Sequence, residues 1–253
     1  MSTFLVGLVV VALGVAVAMG GFLLVEHVWA HSARQRHNDV AGFIYAVLGI
    51  AYGVLVAYVV IVVWQNFSDA QRTCEQEANA VGDLYSLAAS FPDPASTQLE
   101  QLTREYAEAV IDEEWPTMAN GQASPHAAQL ADEIGRVLRL VEVQTPREQV
   151  LMGQGLTIYH TILDNRHTRL YQSREGIHPS LWIVLISGAV VTISFTYLFG
   201  LESTAAHMLM IGALTIVLAG ILFMIHATDL PFDGDVQVEP VAMQLILAAM
   251  PAP

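Results

Sequence analysis

The sequence predicts an all-α membrane protein with four transmembrane helices, two before and two after a long polar interval. Two observations carry this prediction. Four stretches of 21 to 25 residues contain no Lys, Arg, Asp or Glu, and a helix needs about 20 apolar residues to cross the hydrocarbon of a bilayer. The whole chain is 54% hydrophobic and 13% charged, with a mean hydropathy of +0.50, whereas soluble domains average about 25% charged residues.

The predicted spans divide the chain into four regions. They run from Thr3 to Val25, Val40 to Trp64, Ser180 to Gly200 and Ala205 to His226. The predicted domains are residues 1–64 with the first two transmembrane helices, 65–178 with a polar helical bundle, 179–226 with the last two transmembrane helices, and 227–253 with a tail that contains a short amphipathic helix. The first apolar stretch is expected to be retained, because its amino-terminal flank has no basic residue and its core exceeds that of a signal peptide.

Basic residues near the first span predict the orientation in the cell membrane. Arg34 and Arg36 lie in the short loop after that span, and positive residues in short loops tend to stay in the cytoplasm. The polar bundle is therefore expected on the extracytoplasmic side. Arg72, Arg166, Arg169 and Arg174 near the opposite membrane ends favour the reverse orientation.

Charge and cysteine usage exclude several classes of protein. The net charge is −14, and residues 65–178 hold 17 of the 24 carboxylates and eight of the ten arginines. No basic footprint for nucleic acid is present, so membrane lipid and protein are the expected partners. Cys74 stands alone and cannot form an intrachain disulfide.

The polar interval is punctuated as a series of helices. Asp93-Pro94, Ser124-Pro125 and Thr145-Pro146 each offer a side-chain acceptor before a proline, a pattern typical of a helix start. Glu148 completes a capping box with Thr145. Apolar residues recur at helical spacing between these points. The first and last helices of the bundle are expected to continue into the membrane.

Small residues on the second span predict a helix contact. Gly42, Gly49 and Gly53 share one helical face, and close backbone approach is what holds helices together in lipid. The contact lies either within the chain or between subunits. Gly7, Gly14 and Gly21 repeat the pattern in the first span.

Uncharged polar side chains in the spans are candidates for an ion path. Hydroxyl groups can replace water around a permeating ion, although Ser and Thr can equally bond carbonyls of their own helix. The absence of a charged group argues against a proton-coupled pump and leaves a passive route open. The candidates are Tyr45, Tyr52, Ser187, Thr192, Ser194 and Thr196.

No pattern predicts an enzyme, a metal site or a cofactor. His160, Asp164 and His167 share a helix face, but three residues spread over seven positions span about 10 Å, too far for one ion. No phosphate loop, nucleophile elbow or Cys-x-x-Cys pattern is present. We therefore assign no catalytic residue, metal ligand or cofactor.

Four strings of residues form a pattern along the chain, and we call them the motif strings. They are His37-Asn38-Asp39-Val40-Ala41-Gly42-Phe43, Asp112-Glu113-Glu114-Trp115-Pro116, Asp164-Asn165-Arg166 with Arg169-Leu170, and Asp229-Leu230-Pro231-Phe232-Asp233-Gly234-Asp235-Val236. In this order they resemble the bacterial bestrophin-like membrane domain, a family common in actinobacteria. The resemblance implies a relation to bestrophins, which are pentameric anion channels, through the layout of the chain. Leu230 departs from the basic residue that members often carry there.

The motif strings also have a physical interpretation. Asn38 and Asp39 are suited to cap the second span, while Pro231 and Gly234 end the fourth. Glu113 and Glu114 can pair with Arg166 and Arg169 on another bundle helix. Alternatively, Arg166, Arg169 and Arg174 form a basic collar at the membrane mouth, which would concentrate anions.

The leading functional expectation is a homo-oligomeric pore that conducts ions, with anions implied by the resemblance. Two other classes stay open. The chain could be a non-catalytic accessory or structural subunit of a larger membrane complex, or an envelope sensor whose bundle binds a ligand. A sensor needs a cytoplasmic output, and only two short loops are predicted on that side.

Overall fold

The computed structural model describes residues 3–29 and 31–251, and every regular element in them is helical. The elements in chain order are α1 (Thr3–Val28), α2 (His31–Gln35), α3 (Asn38–Ala88), α4 (Ala95–Ala109), a π-helical segment (Val110–Glu114), α5 (Trp115–Met118), α6 (Pro125–Leu140), α7 (Pro146–Gln172), α8 (Pro179–Thr196), α9 (Thr204–Thr228) and α10 (Val241–Ala249).

Each of the four predicted spans lies in a helix that is long and apolar enough to cross a membrane. These helices are α1, α3, α8 and α9. Large aliphatic and aromatic side chains stand exposed along all four, among them Phe4, Val54, Ile183 and Leu209. Such a surface suits lipid as a solvent, since in water it would be a large aggregation-prone patch.

The chain forms two compact units, which we name for their content. The span unit comprises residues 3–65 and Gly176–Asp229, and the bundle unit comprises Asn66–Glu175 and residues 230–251. The tail after Asp229 thus belongs to the same unit as the polar interval. Helix α3 is continuous through residue 65 and contributes to both units, as predicted for the first helix of the bundle.

Glycines set the close packing of the span unit. A Cβ placed on Gly7 would lie 2.5 Å from Phe223 of α9, and one on Gly21 would lie 3.2 Å from the Tyr197 hydroxyl. The predicted contact along this face of α1 is therefore confirmed, and it lies within the chain. Gly188 of α8 similarly leaves room for the ring of Tyr52, whose hydroxyl donates a hydrogen bond to the Leu185 carbonyl at 2.8 Å.

The bundle unit has an apolar core and sharply defined helix starts. Buried side chains from α3, α4, α6 and α7 form this core, including Leu84, Leu99, Ile134, Leu138 and Ile162. The Ser124 hydroxyl accepts the amide of Ala127 at the start of α6. Thr145 and Glu148 form the predicted capping box at the start of α7.

Two local predictions were wrong. Helix α4 starts one residue later than predicted, with Pro94 at the N-cap, and the Asp93 carboxylate accepts the Thr97 hydroxyl instead of a helix amide. The last bundle helix does not continue into the next span, because α7 ends at Gln172 and α8 begins at Pro179. Proline cannot donate an amide to a preceding turn, so it begins a helix more readily than it continues one.

The tail packs against other helices of the bundle unit. Met243 of α10 is buried, and Ile246 lies against Gly82 of α3. Arg104 of α4 donates hydrogen bonds to the carbonyls of Met250 and Pro251, both at 3.1 Å. Val241 and Leu245 stay exposed, so the predicted short helix presents one apolar side outward.

The Gly188→Ala substitution tests the packing of the span unit. Its added methyl group would lie 2.5 Å from the buried Tyr52 ring, so we expect a loss of about 1–3 kcal/mol in the free energy of unfolding. Thermal unfolding of the purified protein in detergent measures this. Gly20→Ala is the control, since nothing lies within 4 Å of that site, and alanine there should leave the midpoint unchanged or raise it. Equal midpoints for the two variants would contradict the assigned packing.

Candidate functional site

A network of four buried charged side chains lies inside the bundle unit. Arg169 of α7 donates to both oxygens of Glu77 of α3, at 2.6 and 2.9 Å, and to Glu114 at 2.8 Å. Arg166 donates to the two Glu114 oxygens at 3.1 and 2.6 Å. The exposed fractions are 0% for Glu77, Glu114 and Arg169 and 6% for Arg166. Two carboxylates and two guanidiniums thus neutralise one another out of contact with water.

The π-helical segment Val110–Glu114 carries two adjacent acids, and only one of them enters this network. Its wider turn ends at Glu114, whose side chain is buried, while that of Glu113 is exposed. Glu113 accepts the Ser124 hydroxyl at 2.9 Å and lies 2.8 Å from the Nδ1 atom of His126. Segments of π-helix are rare and often occur at functional sites. The predicted pairing therefore holds for Glu114, whereas Glu113 bonds to the start of α6.

Further groups satisfy the remaining polar atoms of the network. The Tyr106 hydroxyl donates to Glu77 at 2.7 Å, and the Ser124 amide donates to Glu114 at 3.1 Å. Arg169 Nη1 lies 2.9 Å from the Met118 sulfur, and its Cζ is 5.2 Å from the centre of the Trp115 ring. Buried charges are tolerable only when their hydrogen-bonding capacity is met in this way.

Interactions within the network keep Glu114 and Arg169 ionised. Burial alone would raise the pKa of Glu114, but hydrogen bonds and charge from Arg166 and Arg169 outweigh it and lower that pKa. Burial opposes the charge of Arg169 too, yet Glu77 more than compensates and raises the pKa of Arg169 well above its usual value. Burial, followed by the negative charge of Glu77, raises the pKa of Tyr106, which therefore remains a hydrogen-bond donor.

Three of the motif strings meet around this network. Trp115 donates its indole N–H to the Val238 carbonyl at 3.1 Å, and its ring meets the buried Phe232 ring edge-on at 5.8 Å between centres. The Pro231 carbonyl accepts the Val238 amide at 2.7 Å, which closes the loop that carries Phe232. Gly234 has a φ of +82°, a conformation that favours glycine. The tail is thus attached next to the helix that carries Glu114.

Two further motif residues, Asp229 and Asn38, make contacts within the span unit. Asp229 accepts the Ile177 amide at 2.6 Å and the Trp182 indole N–H at 3.2 Å, so it joins the end of α9 to the start of α8. Asn38 donates to the Gly200 carbonyl at 2.9 Å and accepts its amide at 3.0 Å. Asn38 was predicted to cap its own helix, but its amide bonds the segment after α8 instead. His37 and Asp39 are exposed.

Three of the hydroxyl candidates, Tyr45, Tyr52 and Thr192, line one groove of the span unit, and its lining is mostly apolar. Ser187, Thr192 and Thr196 donate to carbonyls of α8, those of Val184, Gly188 and Ile193. Tyr52 is buried against Leu185. The Tyr45 ring stacks on Phe195, and Ser194 is exposed. Among these bonded hydroxyls, only that of Tyr52 joins two helices, since the other three donate within α8.

The glycine face of the second span is open. Gly42 has one Phe199 atom at 4.0 Å, and nothing lies within 4 Å of a Cβ placed on Gly49 or Gly53. Both glycines line an apolar groove with Val56, Leu218 and Ile221. Gly49 and Gly53 therefore make no close contact with another helix of the same chain, and the predicted helix contact at this face stays a prediction.

The predicted basic collar is wrong for two of its three arginines. Arg166 and Arg169 point into the bundle core and are neutralised by Glu77 and Glu114. Only Arg174 is exposed, beside Gly121. The partner that sequence reasoning missed is Glu77. It lies three residues after Cys74 and four before Val81, on a stripe that was otherwise apolar, and an acid in such a position signals a buried partner.

The Glu114→Gln substitution tests the network. It leaves two buried guanidiniums with one carboxylate, so we expect a loss of about 3–5 kcal/mol in the free energy of unfolding. Chemical unfolding of the purified protein in detergent measures it. Glu113→Gln is a matched control because its side chain is on the adjacent residue and exposed, and it should stay close to wild type. Similar losses in both variants would contradict a specific role for Glu114.

The lowered pKa of Glu114 also predicts a pH dependence. Its ordinary value is 4.5 and its folded value is lower, so its contribution to stability is full above the ordinary value and is lost as pH falls through the folded value. The difference in unfolding free energy between wild type and Glu114→Gln should be constant near neutral pH and should narrow below about pH 4.5. A difference that narrows instead on raising the pH would contradict this assignment.

Comparison with known families connects these features. A sequence model described as the bestrophin-like domain matches residues 12–243. The match begins within α1 and ends within α10, so it includes all the motif strings and the four charged residues of the network. Comparison with curated proteins and with solved structures gave no match.

Proposed function

The chain belongs to the bestrophin-like family, and on that premise we propose that it forms a homo-oligomeric ion-conducting pore in the cell membrane. The family match over most of the chain carries the proposal. It is supported by four helices of the length and apolarity that a multi-pass membrane protein requires. We propose no enzymatic activity and no cofactor.

The distribution of polar groups favours an ion path between copies of the chain rather than through one copy. Within the span unit the buried hydroxyls of Tyr52, Thr192 and Thr215 are bonded to backbone carbonyls. The exposed hydroxyl-bearing residues Ser187 and Ser194 remain available to a shared surface. The open face at Gly49 and Gly53 is a natural contact for a helix of another copy, since small residues allow close approach in lipid.

We also propose a topology for the chain in the membrane. The first two spans precede residues 65–178 and the last two follow, so this region would project as one domain from one side of the membrane, together with the tail. Arg34 and Arg36 favour an extracytoplasmic position for it. Lipid would surround the exposed apolar faces of the spans.

Two indications of the sign of the permeant ion point in opposite directions. The family resemblance favours anions. The neutralisation of Arg166 and Arg169 removes the main local attraction for anions, and the other charges of the bundle unit are mostly acidic. An acidic surface concentrates cations, so the experiment must compare both classes.

Flux measurements test the proposal. Purified protein in liposomes should dissipate a salt gradient, and the reversal potential under unequal KCl should report the sign of the ion. Electron microscopy of the same material should show a closed ring of identical subunits. Protein-free liposomes are the control. A monomeric particle without flux, or one that co-purifies at a fixed ratio with other subunits and conducts nothing, would favour an accessory subunit instead.

Cysteine labelling tests the topology. Asn66→Cys and His178→Cys, at exposed sites, should both react with a membrane-impermeant maleimide on intact cells, whereas Glu202→Cys should react only after permeabilisation. The native Cys74 should not react with the maleimide, because it is buried and burial raises the pKa of its thiol to about 12. Labelling of residues 66 and 178 from different sides would contradict the single projecting domain.

A further inference from the structure

The outward face of α7 differs in charge from the outer surfaces of α3, α4 and α6 in the bundle unit. From Val150 to Tyr171, all described residues, Asp164 is the only exposed carboxylate or guanidinium. Arg166 and Arg169 of the same helix point into the core. We name as the α7 face its exposed residues Thr157, His160, Thr161, Asp164, His167 and Thr168.

Neighbouring surfaces are charged. Arg72 pairs with Asp69 on the outer side of α3, Arg104 with Glu108 on α4, and Arg136 with Glu133 on α6. Residues 65–178 carry nine more carboxylates than arginines. Two copies that approached through the acidic surfaces would repel each other, because like charges placed opposite one another are unfavourable in an interface.

The hydroxyl groups of the α7 face need no water. Thr157 donates to the Gly153 carbonyl at 2.9 Å, Thr161 to the Thr157 carbonyl at 3.0 Å, and Thr168 to the Asp164 carbonyl at 2.8 Å. Covering this face would therefore leave no hydroxyl donor unmet. Threonine is also a poorer helix former than Glu or Lys, so three threonines on one exposed face suit a contact better than a solvated surface.

From this distribution we infer that the α7 face is the surface through which the bundle units of neighbouring copies meet about the symmetry axis. The inference rests on the proposed homo-oligomer. In a closed parallel ring the same helix face of every copy can point to the axis. From Val150 to Tyr171 the helix extends about 32 Å at 1.5 Å per residue. The Asp164 carboxylate of one copy can then accept a hydrogen bond from the imidazole of His160 or His167 of another.

Cross-linking of the full-length protein in membranes tests this surface. Thr157→Cys and Thr161→Cys should each be joined to the same residue of another copy by a short bismaleimide, because equivalent residues meet at a symmetry axis. Gln98→Cys on α4 and Glu133→Cys on α6 are exposed controls that should stay monomeric on denaturing gels. Cys74 does not compete, since it is buried.

A charge variant provides an independent readout. Thr161→Glu places one more negative charge per copy on the α7 face, and glutamate favours helix, so the fold is retained. Light scattering in detergent should show a shift from oligomer to smaller species, while Gln98→Glu should keep the wild-type mass. Cross-links at the controls but not at residues 157 and 161, in a protein that is still oligomeric, would overturn the α7 face and leave the proposed oligomer standing. A wild-type protein that is monomeric in membranes would overturn the oligomer itself.

Discussion

The bundle unit depends on the burial of Arg169 between two carboxylates. A guanidinium removed from water needs partners on several sides, and here they come from α3 through Glu77 and from the π-helical segment through Glu114. Such a network adds little net stability over well-packed apolar residues, but it penalises every arrangement in which one charge loses its partner. The network thereby fixes the register of α3, α7 and the π-helical segment relative to one another. A shift of any one of them would leave a buried charge without its partner.

Contacts around this network connect three of the motif strings. Glu114 and Trp115 are adjacent in sequence, yet one bonds the arginines of α7 while the other donates to the tail at Val238. The Trp115 ring also lies next to Arg169 and Phe232. Charge neutralisation in the core and attachment of the tail are therefore linked through two consecutive residues. Contacts among three of the motif strings thus join the core of the bundle unit to its tail.

The span unit uses a different principle, because lipid provides no hydrophobic drive for helices to associate. Close packing replaces it where the ring of Phe223 in α9 lies against Gly7 and the ring of Tyr197, the residue after α8, lies against Gly21. The polar groups of this unit are used locally, with Asn38 bonded to Gly200 and Asp229 bonded to Ile177 and Trp182. Asn38 and Asp229 are thus bonded within a single copy, while the face of α3 at Gly49 and Gly53 is open. This combination suits contacts between copies better than a polar channel inside one copy.

The sequence by itself determined the helical class, the four long apolar helices and most helix starts, because these depend on local composition and on capping residues such as Ser124, Thr145 and Glu148. It also indicated that Glu114 could pair with Arg166 and Arg169. Only the tertiary structure decided that both arginines are buried, that Glu77 is the second partner of Arg169 and that Glu113 faces outward while Glu114 faces the core. Periodicity assigns residues to faces of an ideal helix, but which face is covered depends on the helices that pack against it.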